Sequence, residues 1–308
     1  MIETIIAGLP GTLAQGIIYG IMALGVYITF KLLNFADLSV DGSFSTGGIV
    51  AAMVILSGKS WVLALVLAFI AGAAAGLITG VLHTTFGIPD ILAGILTQLA
   101  LYSINLRISN AQSSVPISVD KYDLAVSLRY QNDALITVAI IAVAIIAVMY
   151  AFFGTEMGSA LRATGTNPAM AKAQGININI MKTIGLVISN ALVAFAGALY
   201  AQFNGQANVN NGRGAIVIGL AAIIIGEVIC NVIFRKKINF AILLVFVVLG
   251  GVLYYIFMDL VLKLKLNTND LKLFTALIVA IFLAVPYLKG KANSSFRKAA
   301  REGGRRHA

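Results

Sequence analysis

Long apolar runs separated by short polar interruptions set the rhythm of this chain. A bilayer core needs about 20 apolar residues in helical form. On that scale spans are predicted near residues 12–30, 42–57, 61–82, 89–106, 134–153, 182–203, 215–234, 239–261 and 271–288. The pattern therefore reads as an all-α polytopic membrane protein with about nine transmembrane helices. Two of these spans follow polar, glycine-containing stretches, NFADLSVDGSFSTGG before the second and NGQANVNNGRG before the seventh. Both stretches are expected to form broken or re-entrant helices. One further interruption, GTEMGSALRATGTNPAMAKAQGI at 154–176, is longer and dense in helix-capping residues.

Composition supports the membrane reading. Only 11% of residues are charged and 59% are hydrophobic, where a soluble domain carries about 25% charged residues. Mean hydropathy is +0.94. The 30 glycines fit helices that must approach closely without a hydrophobic drive between them. The formal net charge of +10 does not imply nucleic acid, because the basic residues sit between apolar runs and in the tail LKGKANSSFRKAAREGGRRHA. Lysine and arginine concentrate on the cytoplasmic side of membrane proteins. Placing the tail there puts 14 of the 22 basic residues inside, with an outer N-terminus. The domain division that follows is a transmembrane domain at 1–290, containing a cytoplasmic loop at 154–181, and a basic cytoplasmic tail at 291–308. The tail can also meet anionic lipid headgroups. Met1-Ile2-Glu3-Thr4 lacks the positive start of a secretory signal, so the first apolar run is expected to be an uncleaved span.

Catalytic chemistry finds little to work with. One cysteine, Cys230, and two distant histidines offer neither a disulfide framework nor a metal cluster. Leu56-Ser57-Gly58-Lys59-Ser60 resembles the end of a phosphate loop, but Met53 stands where its first glycine belongs and the segment joins two spans. No cofactor is expected in this chain.

In the 154–176 stretch, Asn167 is a natural N-cap, Pro168 suits the first helical position and Gly175 suits a left-handed terminus. Met157 to Thr164 is expected to form a short helix ended by Gly165. Helices this short are marginal alone, so the pair must pack on the spans or on a partner. The run Gly158-x-x-x-Arg162-Ala163-x-Gly165-x-Asn167-Pro168-x-x-Ala171-x-x-x-Gly175-Ile176 resembles the cytoplasmic loop of ABC-importer permeases of the branched-chain amino acid type, with ribose permeases more distantly related. Asn34-Phe35-Ala36 and the small-residue run Gly219 to Gly226 extend the resemblance across about residues 12–290. The continuation Asp37-Leu38-Ser39-Val40-Asp41-Gly42-Ser43, in place of a His-Gly pair, points to a side branch of uncharacterised or aromatic amino acid importers.

The resemblance implies a homodimeric permease in a bacterial plasma membrane, served by ABC ATPase subunits that bind ATP and magnesium and by an extracytoplasmic binding protein. The permease itself is not an enzyme. Glu156, Gly158, Arg162, Gly165, Asn167, Pro168, Ala171, Lys172 and Gly175 would form the loop that couples to the ATPase. An ion-gradient-driven transporter and a sugar or nucleoside permease are the alternatives.

Pathway candidates follow from polar residues near or inside spans. Asp37 and Asp41, four apart, either cap the helix that follows or are solvated at the interface, or recognise an amine on a pathway with Asn34, Ser39 and Ser43 as companions. Glu227 lies well inside a predicted span, where a carboxylate is costly. It either reaches the interface near Arg235-Lys236-Lys237, lines or gates a pathway, or relays protons. Asn204, Gln206, Asn208, Asn210 and Asn211 with Arg213 form either a substrate mouth or a hydrated turn.

Overall fold

The structure is a computed structural model that describes residues 2–234 and 239–263, together with positions 273, 276, 277 and 280. Ten α-helices and one two-stranded ribbon make up the described residues. They are α1 (Ile2–Tyr27), prolonged by a π-helical turn at Ile28–Leu32, then α2 (Val40–Leu56), α3 (Trp61–Thr84), α4 (Asp90–Ile108) and β1 (Ser114–Pro116). There follow α5 (Gln131–Gly154), α6 (Glu156–Thr166), α7 (Pro168–Ala173), α8 (Ile178–Asn204), β2 (Gln206–Asn208), α9 (Ala215–Ile233) and α10 (Phe240–Lys263). Seven of the described helical segments are long and apolar enough to cross a membrane, and α2 is a shorter apolar helix. The first eight expected spans each coincide with a helix. The ninth, at 271–288, falls largely outside the described residues, as do the basic tail and Arg235-Lys236-Lys237.

Helix α8 packs among α1, α2 and α3, and from residue 181 to its end none of its residues is exposed. Hydrophobicity does not hold helices together in lipid, so close backbone approach and dispersion must. Glycine supplies the approach here. A Cβ at Gly47 of α2 would collide with the carbonyl of Ala194 in α8, and one at Gly197 of α8 would collide with the carbonyl of Phe44 in α2. The two helices are thus seated on each other reciprocally. Against the same helix, Gly72 and Gly76 of α3 meet the carbonyls of Asn190 and Leu186 in the same way. By contrast, α5 carries its apolar side chains outward, with Ile140, Val143 and Val148 all more than 60% exposed. That face is lipid-like in character.

Both polar stretches before α2 and α9 break the helical pattern as expected. Residues 33–39 are non-helical, and α2 begins beside the middle of α8 rather than at an end of the bundle. The segment from Gly205 to Gly214 runs back alongside α2, where the Gly212 N–H donates to Ser45 Oγ at 2.8 Å. Consequently α9 also starts at the level of the first turns of α2. At one end of the bundle, β1 and β2 pair antiparallel, Val115 opposite Ala207. At the other end lie α6 and α7.

Replacing Gly47 with valine should force α2 away from α8. Overpacking commonly costs about 1–3 kcal/mol, and here the obstacle is backbone rather than a movable side chain. The expected outcome is a lowered melting temperature and loss of the monodisperse peak in detergent; wild-type thermal stability would contradict the packing described.

Candidate functional site

Seven residues of broken helix need a reason to stay broken in an apolar setting, where unpaired backbone and side-chain polar groups are costly. The π-helical turn begins the transition: Leu33 N–H reaches back to the Ile28 carbonyl at 3.0 Å, and Phe35 N–H to the Thr29 carbonyl at 2.9 Å. Asn34 then takes a left-handed conformation, φ 52°, and its side chain is exposed.

Next comes a buried cluster. Asp37 Oδ1 accepts from the Ser39 backbone N–H at 2.9 Å and from the Ser39 hydroxyl at 2.5 Å. Asn190, from the middle of α8, donates through Nδ2 to Asp37 Oδ2 at 2.7 Å, and its Oδ1 accepts from the Ser43 hydroxyl at 2.6 Å. All four residues are at most 2% exposed. Their polar groups are thus used on one another, and α8 clasps the break.

Asp41 has a different task from its neighbour. Gly214, the residue preceding α9, has no side chain with which to cap that helix. Asp41 reaches across from α2 instead: Gly214 N–H donates to Oδ2 and Ile216 N–H to Oδ1, both at 2.9 Å. The capping role read from sequence is real, but the helix capped is α9 and not α2. Tertiary placement, invisible to local capping rules, decides the partner.

Beside this cap lies a half-open cavity of about 300 Å³, lined by Asp41, Gly42 and Ser45 of α2, Gln98, Leu99, Tyr102 and Asn105 of α4, and Val209 and Arg213. Arg213 lies over the Tyr102 ring, 6.0 Å from its centroid. Asn105 is 1% exposed, and neither its Oδ1 nor its Nδ2 has a protein partner. Among the polar residues expected to form an outer mouth, Arg213 lines this cavity; Asn208 and Asn210 instead shape the turn, the Asn208 side chain accepting from Asn210 N–H at 2.8 Å.

Glu227 pairs with Lys31, Oε2 to Nζ 2.7 Å, tying α9 to the π-helical turn. Its partner is therefore the lysine of α1 and lies among the described residues. Double-ended pairing of this kind keeps both charges compensated.

The α6–α7 pair is built largely as the capping residues dictate. Thr155 caps α6 by accepting from Gly158 N–H at 3.3 Å, and Asn167 caps α7 by accepting from Met170 N–H at 3.1 Å, with Pro168 at the first position. Gly175 takes φ +83°, the left-handed terminus expected. One expectation is corrected: Gly165 does not end α6, which runs on to Thr166. Its smallness serves packing, because a Cβ there would strike the Leu32 carbonyl at the end of the π-helical turn. Gly158 similarly lies on the backbone of Phe152 and Phe153. Arg162 donates to the Phe153 carbonyl at 2.8 Å and lies over the Phe240 ring at 5.8 Å from its centroid. Ala171 is buried, whereas Glu156, Asn167, Pro168, Met170, Lys172 and Gly175 are exposed.

Two polar residues of this region are absent from the sequence reading, Asn190 and Asn105. Each is an amide inside an apolar helix, less conspicuous there than a charged acid. A polar residue flanked by apolar turns was the available signal.

A helical bundle crossing the membrane repeatedly, with two helices interrupted beside a polar cavity, has the architecture of a transport permease. The chain belongs to the family described as branched-chain amino acid transport system / permease component, whose profile matches residues 8–286. It is 38% identical to the tyrosine transport system permease protein of Clostridioides difficile, over 95% of this chain and 94% of that protein. It is also 26% identical to the ribose import permease protein RbsC of Escherichia coli K12, over 70% of this chain and 67% of that one. Its backbone is similar to a chain of PsaBC from Streptococcus pneumoniae, solved in complex with Fab, with a TM-score of 0.54 at 16% identity over 92% and 95% of the two chains.

Replacing Asn190 with leucine should leave Asp37 buried without its cross-helix donor. A lost hydrogen bond to a charged or buried acceptor costs about 2–3 kcal/mol, so the melting temperature in detergent should fall by several degrees. Asp37→Asn together with Asn190→Leu should fall less than the two single losses added; strict additivity would argue against the network.

Proposed function

We propose that this chain is the membrane-spanning subunit of an ATP-driven ABC importer that moves a small amino acid, aromatic ones included, delivered by an extracytoplasmic binding protein. Two copies would pair with two ATPase subunits, which supply ATP and magnesium chemistry, in a bacterial plasma membrane. The C-terminus and the α6–α7 pair would face the cytoplasm. Family membership supports the permease role, and the relative whose name gives tyrosine as its cargo supports an amino acid.

The observation that carries the coupling role is the seating of Gly165 on Leu32. The α6–α7 pair presents Pro168, Met170 and Lys172 outward, with Met170 58% exposed. A flexible, polarisable methionine on an exposed ledge suits an interface. The inner side of the same ledge rests on the π-helical turn, seven residues from the first turn of α2. A push on α6 therefore acts directly on the broken segment and, through it, on the wall of the polar cavity. The Lys31–Glu227 pair sits on the same turn and would hold α9 to it during that motion.

Reconstitution with its ATPase subunits and binding protein should give amino acid uptake that requires ATP. Met170→Asp combined with Pro168→Gly changes exposed positions. It should cut ATPase co-purification and uptake by about tenfold or more, as for a typical interface hot spot, with membrane insertion and melting temperature unchanged. Full uptake by that double variant would sink the coupling assignment. Uptake that persists without the ATPase and disappears with the proton gradient, or in Glu227→Gln, would instead establish an ion-driven transporter.

A further inference from the structure

The cavity beside Asp41 carries a more specific chemistry than a passage for small solutes needs. Its wall contains one carboxylate and one guanidinium that do not pair with each other: Asp41 is held by two backbone N–H groups, and the Arg213 guanidinium lies over the face of Tyr102 and is in no ion pair among the described residues. Asn105, in the same lining, is buried with both a donor and an acceptor unpartnered. A buried amide ordinarily finds partners in its own protein. Here the cavity is the place where those partners must come from.

Asp41 is half-buried and Arg213 exposed, and charges within an apolar bundle face a water-filled space or a partner rather than lipid. The cavity opens along the exposed Leu99 and Tyr102 of α4, a side that its two charged residues favour as aqueous. The wholly apolar groove lined by Phe69, Val148 and Leu192 has no such groups and fits lipid.

We propose that this cavity binds the zwitterionic end of an amino acid during transport. Arg213 takes the α-carboxylate, with Asn105 Nδ2 as a second donor. Asp41 takes the α-ammonium on lone pairs left free by the backbone N–H groups, with Asn105 Oδ1 beside it; a carboxylate offers about four acceptor sites. The start of α9, which Asp41 caps, adds a favourable dipole for the carboxylate. The volume of about 300 Å³ is at the lower limit of small-ligand sites, so the side chain would extend toward the open face and Tyr102. This deepens the importer reading and rests on it for the choice of amino acids, but its test does not use ATP.

The test is protection of a cysteine in the cavity. Leu99→Cys in the full chain, purified into lipid nanodiscs, is labelled with an anionic methanethiosulfonate; the parent chain, whose single cysteine Cys230 is buried, gives the background. L-tyrosine or L-leucine should slow labelling. Tyramine, which lacks the carboxylate, 3-(4-hydroxyphenyl)propionate, which lacks the ammonium, and D-ribose should not. Arg213→Gln should raise the half-protecting L-tyrosine concentration by about tenfold or more, as expected for loss of a charge-assisted hydrogen bond, and Arg213→Lys should recover part of it. Equal protection by tyramine or D-ribose, or by L-tyrosine in Arg213→Gln, overturns the site, as does the absence of protection by any amino acid. ATP-driven amino acid uptake without protection at position 99 overturns the site and leaves the importer. Zwitterion-specific protection in a chain that shows no ATP-driven uptake overturns the importer and supports the site.

Discussion

The grip of Asn190 on Asp37 allows everything else in this bundle to be where it is. A helix interrupted inside a membrane leaves polar groups that water cannot reach, and the interruption survives only where protein satisfies them. One asparagine in the middle of α8 does so for the carboxylate of the broken segment and for the Ser43 hydroxyl of α2 at once. With the break stabilised, α2 can begin deep in the bundle, its first turn can present Asp41 to α9, and a polar cavity can form beside the two helix starts.

Small residues make that clasp possible. Asn190 reaches Asp37 because α8 lies almost in backbone contact with both α2 and α3, through Gly47, Gly197, Gly72 and Gly76. The same device recurs where α6 meets the π-helical turn at Gly165. Dispersion between closely fitted backbones is strong collectively and tolerates no intervening methyl group. The result is a rigid line running from an exposed ledge at one end of the bundle to a polar cavity near its middle. A rigid line of this kind can transmit displacement, whereas a loosely packed one would absorb it.

Much of the architecture was legible in the chain. Apolar length marked the first eight spans, because nothing but a membrane rewards runs of that kind. Polar, glycine-bearing stretches marked both breaks, and Asn167, Pro168 and Gly175 marked the turns of the α6–α7 pair, because capping is chemistry between near neighbours. The misreadings also have a physical cause. Gly165 looked like a terminator since a glycine after a short helix usually is one; its actual constraint is the Leu32 carbonyl, more than 130 residues earlier in the chain. Asp41 looked like a cap for its own helix, while its ligands are the N–H groups of Gly214 and Ile216.

The sequence by itself determined that this is a helical membrane protein, roughly where its long helices lie, and which segments would depart from helix, since each is a property of composition and local hydrogen bonding. Tertiary structure alone decided which polar side chains would spend themselves on one another and which would remain available. Asp37, Ser39, Ser43 and Asn190 form a closed set, whereas Asp41, Asn105 and Arg213 retain capacity toward a shared cavity. That division depends on distances between helices far apart in sequence, and no local pattern of residues encodes it.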